Sequence, residues 1–183
     1  MKKTIQLFGL LFIASIFFTA CGGGGGGTGA GAGAQEVVIN NVRWAATNVE
    51  TPGNFAATPE SIGGRFTFEQ AQNACPQGWR LPTIEEVQSL IDVGSEWVTQ
   101  NDVNGRRFGT GSNSLFFPAT TFRATGRNPL TGEMNYVAVS AYYWATPVDA
   151  RRVVASLFIR NDRAVTNNSA TGSFSVRCVQ DVE

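Results

Sequence analysis

The sequence predicts an α+β domain, and three observations carry that prediction. Two capping signatures, Thr67 with Gln70 and Thr83 with Glu86, each precede apolar residues at helical spacing. Apolar runs bounded by turn residues mark strands at the start of the domain and through its C-terminal third. Two cysteines far apart in the chain, Cys75 and Cys178, offer a covalent tie between a helix and the closing strand.

The N-terminus comes before that domain. Met1, Lys2 and Lys3 precede an apolar run from Ile5 to Phe18, then Thr19, Ala20 and Cys21, the order of a secretory signal over residues 1–20. The apolar run is too short to span a bilayer. Small residues before a cysteine resemble a bacterial lipobox, with Phe18 where leucine is usual, so Cys21 is expected to be lipidated and to begin the mature chain. The alternative is ordinary cleavage with Cys21 discarded. Residues 21–34 continue as a Gly-rich tether, Gly22 to Ala34, with a root-mean-square span of roughly 20 Å. It lacks the strand, the Lys-Ser/Thr pair and the helix that a phosphate-cradling loop requires.

Loss of the leader removes Lys2 and Lys3, the only lysines among 14 basic residues, leaving 12 arginines against 14 acidic residues and no histidine. A slightly acidic chain argues against nucleic acid as a partner. The pairs Arg106-Arg107 and Arg151-Arg152 read as solvated loop positions. Residues 35–183 suit one domain of ordinary size. In an exported protein its two cysteines read as a disulfide, Cys75 to Cys178.

Within the domain, strands are expected at 37–39 and 42–45 about an Asn40-Asn41 turn, followed by an irregular stretch over 51–64. A helix over 67–75 stops at Pro76. A second helix starts after Pro82, carries the stripe Ile84, Val87, Ile91, and ends near Gly94. Glu85 and Glu86 read as anions at a helix N-terminus rather than as an acid/base pair. Residues 95–133 are dense in Gly, Asn and Pro and read as a long loop excursion, which Trp97, Phe108, Phe116, Phe117 and Phe122 fold back onto the domain. Strands follow at 136–140, 142–146, 153–160 and 173–179. In the last, Phe174, Val176 and Cys178 face inward, while Ser173, Ser175 and Arg177 take the other face.

The pieces "INNVRWAATNV", "AQNACPQGWRLPT", "NGRRFG", "LFFPAT", "YYWAT" and "SVRCV" resemble, in content and order, the Fibrobacter succinogenes major paralogous domain of exported bacterial proteins, over about residues 36–182. The resemblance implies a C-type-lectin-like fold: two short helices against a small twisted antiparallel sheet with a long loop region. The "RLPT" piece is also similar to one in formylglycine-generating enzymes, which depend on reactive cysteines. Here both domain cysteines are committed to the crosslink, and histidine is absent, so no enzyme is expected.

Function is read as recognition. No cofactor or metal is expected: the calcium triplets of sugar-binding lectins are missing, and Asn101 to Gly105 reads as a turn, Ser112 standing where a calcium loop needs glutamate. The expected protein is a lipid-anchored outer-membrane component, on either face, touching the membrane through its anchor and displaying residues 95–133 to a glycan or an envelope protein. Trp97, Asn104, Arg106, Arg107 and Asn128 are the candidate contacts. The rival is a structural or assembly component, which a large exposed apolar patch on that surface would favour. Trp44, Trp79 and Trp144 read as core. In the connection Trp79, Arg80, Leu81, Pro82, Thr83 the expectation is a structural knuckle, with Arg80 tied to backbone carbonyls that the sharp turn strands.

Overall fold

The N-terminal hairpin forms because its turn is chemically permitted. In the computed structural model, which describes residues 35–147, 154–167 and 171–182, β1 (Glu36–Ile39) and β2 (Val42–Ala45) pair antiparallel. Between them Asn40 and Asn41 take φ of 48° and 64°, the left-handed pair that a two-residue hairpin demands and asparagine tolerates. The leader, Cys21, the tether and Arg151-Arg152 lie outside the described residues. β3 (Val49–Thr51) and β4 (Asn54–Phe55) form a small second hairpin where irregular chain was expected.

Both capping boxes are present. Ahead of α1 (Phe68–Ala71), the Gln70 amide donates to Thr67 Oγ1 at 3.3 Å and the Thr67 amide donates to Gln70 Oε1 at 2.9 Å. This helix is shorter than the predicted 67–75. Beyond Ala71 the backbone tightens, Asn73 and Ala74 donating to the carbonyls three residues back. α2 (Ile84–Asp92) begins at the Thr83/Glu86 box, buries Val87 and Leu90, and is followed by Gly94 at φ 85°.

Residues 95–133 are mostly strand, against expectation. β5 (Ser95–Gln100), β6 (Val103–Thr110) and β7 (Asn113–Pro118) make an antiparallel meander, and β8 (Thr121–Arg127) pairs with β9 (Met134–Ala145). The polar and Gly-rich composition marks turns and close approaches. Asn101 and Asp102 take positive φ in the β5–β6 turn. At Gly105 an added Cβ would lie against the Phe117 carbonyl and 2.5 Å from the Phe116 ring. β9 is one strand of twelve residues where two were expected; it continues to β10 (Ala155–Arg160), β11 (Ala164–Asn167) and a four-stranded order β11-β10-β9-β8. β12 (Val179–Asp181) closes the chain on β2, giving a three-stranded sheet β1-β2-β12.

The α+β, C-type-lectin-like expectation is therefore corrected. Among the described residues strands make up 51% and helices 9%, with four antiparallel sheets and two helices; two helices on one small sheet do not describe the molecule. Capping boxes specify where a helix starts, not how long it runs, and turn residues between short apolar runs were mistaken for continuous loop.

β9 separates two apolar cores by its alternation. Ala141, Tyr143 and Ala145 join Trp44, Val87, Leu90, Phe108, Phe117 and Leu157 on one side. On the other, Trp144 joins Phe66, Ala71, Leu81, Phe174, Val176 and Cys178, and its indole N–H donates to the Phe66 carbonyl at 2.7 Å. The disulfide Cys75–Cys178 spans 103 residues and fixes the turn after α1 to the chain leading into β12.

The segment before β12 departs from the expected strand at 173–179. Only isolated bridges, Phe66 with Phe174 and Tyr143 with Ser175, precede β12. Arg177, assigned by alternation to the face opposite the apolar set, is 1% exposed. Its guanidinium donates to Asn48 Oδ1 at 2.8 Å, to the Ala45, Ala46 and Phe116 carbonyls at 3.1, 2.7 and 3.1 Å, and lies 4.5 Å over the Phe117 ring. The end of β2 and the edge strand β7 leave carbonyls that a planar fork of five donors can collect. Burial pushes its pKa down to about 10, partly offset by Tyr143, so it stays charged at neutral pH.

Candidate recognition surface

The knuckle between the two helices is built inward. Trp79 is half-buried, edge-on to Phe55 with ring centroids 5.2 Å apart, and Leu81 is buried in the second core. Arg80 exchanges backbone hydrogen bonds with Val179, and its guanidinium reaches both Glu86 oxygens at 2.9 and 2.7 Å and Asp181 at 2.5 Å. Only the Leu81 carbonyl, at 3.2 Å, matches the expected carbonyl role. Glu86 caps α2 and pairs with Arg80 at once, and that pairing, with Asp181, raises the arginine's pKa. The Pro82 carbonyl accepts from the Thr146 amide at 2.8 Å, and Thr83 caps α2. These five residues hold the connection, and the partly exposed Arg80 guanidinium is engaged by Glu86 and Asp181.

The candidate contacts do not converge. Cross-strand partners share a face, so Trp97, Arg106 and Phe117 form one row, which Phe117 places toward the first core. Trp97 is half-buried. Arg106, read from sequence as a solvated loop position, is buried; it donates to Ser95 Oγ at 2.8 Å and to the Arg160 carbonyl at 2.7 Å. Burial pushes its pKa down, with Asp162 opposing. Asn104 is engaged on both ends, accepting from Thr99 Oγ1 at 2.7 Å and donating to the Ala138 carbonyl at 3.3 Å. Asn128 is spent locally: its Oδ1 accepts from the Leu130 and Thr131 amides in the β8–β9 turn.

Arg107 alone faces a hollow. On the opposite face of the meander it donates to Gln100 Oε1 at 3.0 Å and pairs with Glu96 at 3.3 Å. Gln100 and Asn101 in turn donate to Glu60 Oε1 at 2.6 and 2.9 Å, and these bonds, Gln100 first, hold the Glu60 carboxyl below its ordinary value. Two shallow clefts of about 400 and 690 Å³ meet at Gln100, Arg107 and Ser114. The charge inside them is already paired, and the nearest aromatic, Phe116, is buried. No stacking platform for a sugar ring is available there. Neither Glu60 nor Gln100 was recognisable beforehand, because 40 residues separate them.

A different feature of the same region stands out. β8 is exposed along its whole length, as are Met134 to Tyr136 of β9. Exposed large apolar side chains among the described residues number seven, and four belong to this hairpin: Phe122 at 55%, Leu130 at 94%, Met134 at 41% and Tyr136 at 63%. Phe122 thus does not fold back, unlike Phe108, Phe116 and Phe117. The signal missed in the sequence was "NPLTG" between two polar-apolar runs, a hairpin turn rather than a loop.

Among the described residues no group of three or more His, Cys, Asp or Glu is placed to hold a metal, and no helix is long and apolar enough to cross a membrane. No protein-family model, curated protein or solved structure matches the chain.

Proposed function

We propose that the protein is a non-catalytic component of the bacterial cell envelope that binds another protein through its β8–β9 hairpin. The observation that carries this reading is the concentration of exposed apolar side chains on one hairpin that is open on both faces. A patch of that kind favours the assembly role over the glycan role, since the five candidate sugar contacts are dispersed and engaged internally. The non-catalytic part rests on the absence of histidine and on the disulfide that occupies both domain cysteines. Motif order supports kinship with the Fibrobacter succinogenes major paralogous domain, without the lectin-like architecture. The leader and Cys21 support export and lipid anchoring at the outer membrane.

The test is site-specific photo-crosslinking in the producing cell, with a benzophenone side chain at Tyr136 and, as a control, at exposed Gln88 on α2. The expected result is a protein adduct of discrete mass from position 136, absent from position 88 and abolished by Phe122→Ser with Met134→Ser. Binding of the mature chain to a glycan array, with no adduct from position 136, overturns the proposal.

A further inference from the structure

The open edge of the hairpin defines what kind of chain can dock there. β8 is the terminal strand of its sheet, so backbone N–H and C=O groups along it point away from β9, in regular alternation over 122–124 between register shifts at Thr121/Phe122 and Ala124/Gly126. Only another extended backbone supplies the matching donors and acceptors in series. The strand contains neither proline nor lysine, two residues that commonly close such edges.

Register assigns the side chains. Phe122 pairs with Ala138, Ala124 with Tyr136 and Arg127 with Met134 on one face; Arg123 pairs with Val137 and Gly126 with Asn135 on the other. A register shift between Ala124 and Gly126 brings Arg127 onto the apolar face. Its guanidinium is tied to the Gly132 carbonyl at 2.5 Å, whereas the exposed Arg123 side chain has no partner among the described residues.

Charge selects among extended chains. A second copy docked antiparallel on β8 adds a second Arg123 on one face and a second Arg127 on the other, with no β8 carboxylate to balance either, so self-pairing is disfavoured. A strand with acidic side chains toward Arg123 and apolar ones toward Phe122 and Tyr136 meets both faces. We infer that β8 accepts, by strand addition, an extended segment of another protein's chain that alternates apolar and acidic residues. This rests on the protein-binding reading above and gives the partner its chemistry.

The probe is a capped seven-residue peptide alternating valine and glutamate, compared with its valine–lysine counterpart, on the intact mature protein. The expected result is slowed hydrogen exchange at alternate β8 amides with the glutamate peptide, at least tenfold weaker binding of the lysine peptide, and reversal of that preference in Arg123→Glu. Because Arg123 is exposed and has no partner among the described residues, this variant keeps the fold. No β8 protection by either peptide, or protection indifferent to peptide charge, overturns the inference. So does protection that arises with protein concentration alone, which marks self-pairing, or hairpin binding to phosphatidylglycerol vesicles without peptide binding. If the adduct at position 136 persists while β8 protection fails, strand addition falls and the protein-binding reading stands; loss of the adduct removes both.

Discussion

Replacing Arg177 with methionine isolates the tie that holds β12's approach to β2 and β7. The guanidinium makes four hydrogen bonds, all to neutral acceptors, and no carboxylate among the described residues pairs with it. Orphaning a buried acceptor costs about 1–3 kcal/mol, so four come to about 8 kcal/mol at the middle of that range. Against this, methionine removes the desolvation penalty of a buried charge, several kcal/mol, here taken as about 5. The net expectation for Arg177→Met is a loss of about 3 kcal/mol, a large fraction of ordinary domain stability. Arg177→Lys should lose as much, because one ammonium cannot span acceptors on Asn48, Ala46 and Phe116 together. Urea unfolding of the disulfide-intact protein reads this as a lower midpoint at unchanged slope. If Arg177→Met unfolds within 0.5 kcal/mol (about twofold in the folding equilibrium) of the parent, the guanidinium is not the tie and the reasoning fails.

Joint replacement of Cys75 and Cys178 by alanine opens a 103-residue span and should lower stability by up to about 4.7 kcal/mol in the chain-entropy account; calorimetry showing an unchanged melting temperature contradicts it. Gly105→Ala pushes a methyl group against the Phe117 carbonyl and the Phe116 ring, and should cost about 1–3 kcal/mol by overpacking, read by the same urea titration. Glu60, held below its ordinary 4.5, stabilises the folded chain at pH above that value, and the contribution disappears as pH falls through the lower folded-state pKa. An NMR titration should find the Glu60 midpoint under 4.5, with the Gln100 side-chain amide shifting alongside it. A midpoint at or above 4.5 rules out the Gln100 and Asn101 bonds in solution.

Local chemistry was readable wherever a few adjacent residues decide the outcome. Asn40-Asn41 specified a hairpin turn because its left-handed backbone is a property of those two residues. Thr67-Gln70 and Thr83-Glu86 specified helix starts because each box closes within one turn. Cys75 and Cys178 needed no geometry at all, since only one pairing exists within the domain. Trp44 and Trp144, read as core from their apolar neighbours, are each 1% exposed.

Pairings between distant segments were not readable. The stretch 95–133 became strands because β5, β6 and β7 satisfy one another's backbone in one sheet and β8 and β9 do so in another, a condition no short window contains. Alternation placed Arg177 on a face, but a face is polar only if water reaches it, and the Ala45, Ala46 and Phe116 carbonyls closed over it instead. The candidate surface behaved likewise: Arg106 and Arg107 are neighbours, yet the strand's two-residue period sends one toward the core and the other to a cleft. The Asn40-Asn41 turn, the two helix starts and the covalent crosslink follow from the sequence, because each is specified by the residues that make it. The sheet architecture, the burial of Arg177 and the exposure of the hairpin emerge only in the folded molecule, because solvent access depends on which distant strands come to lie beside one another.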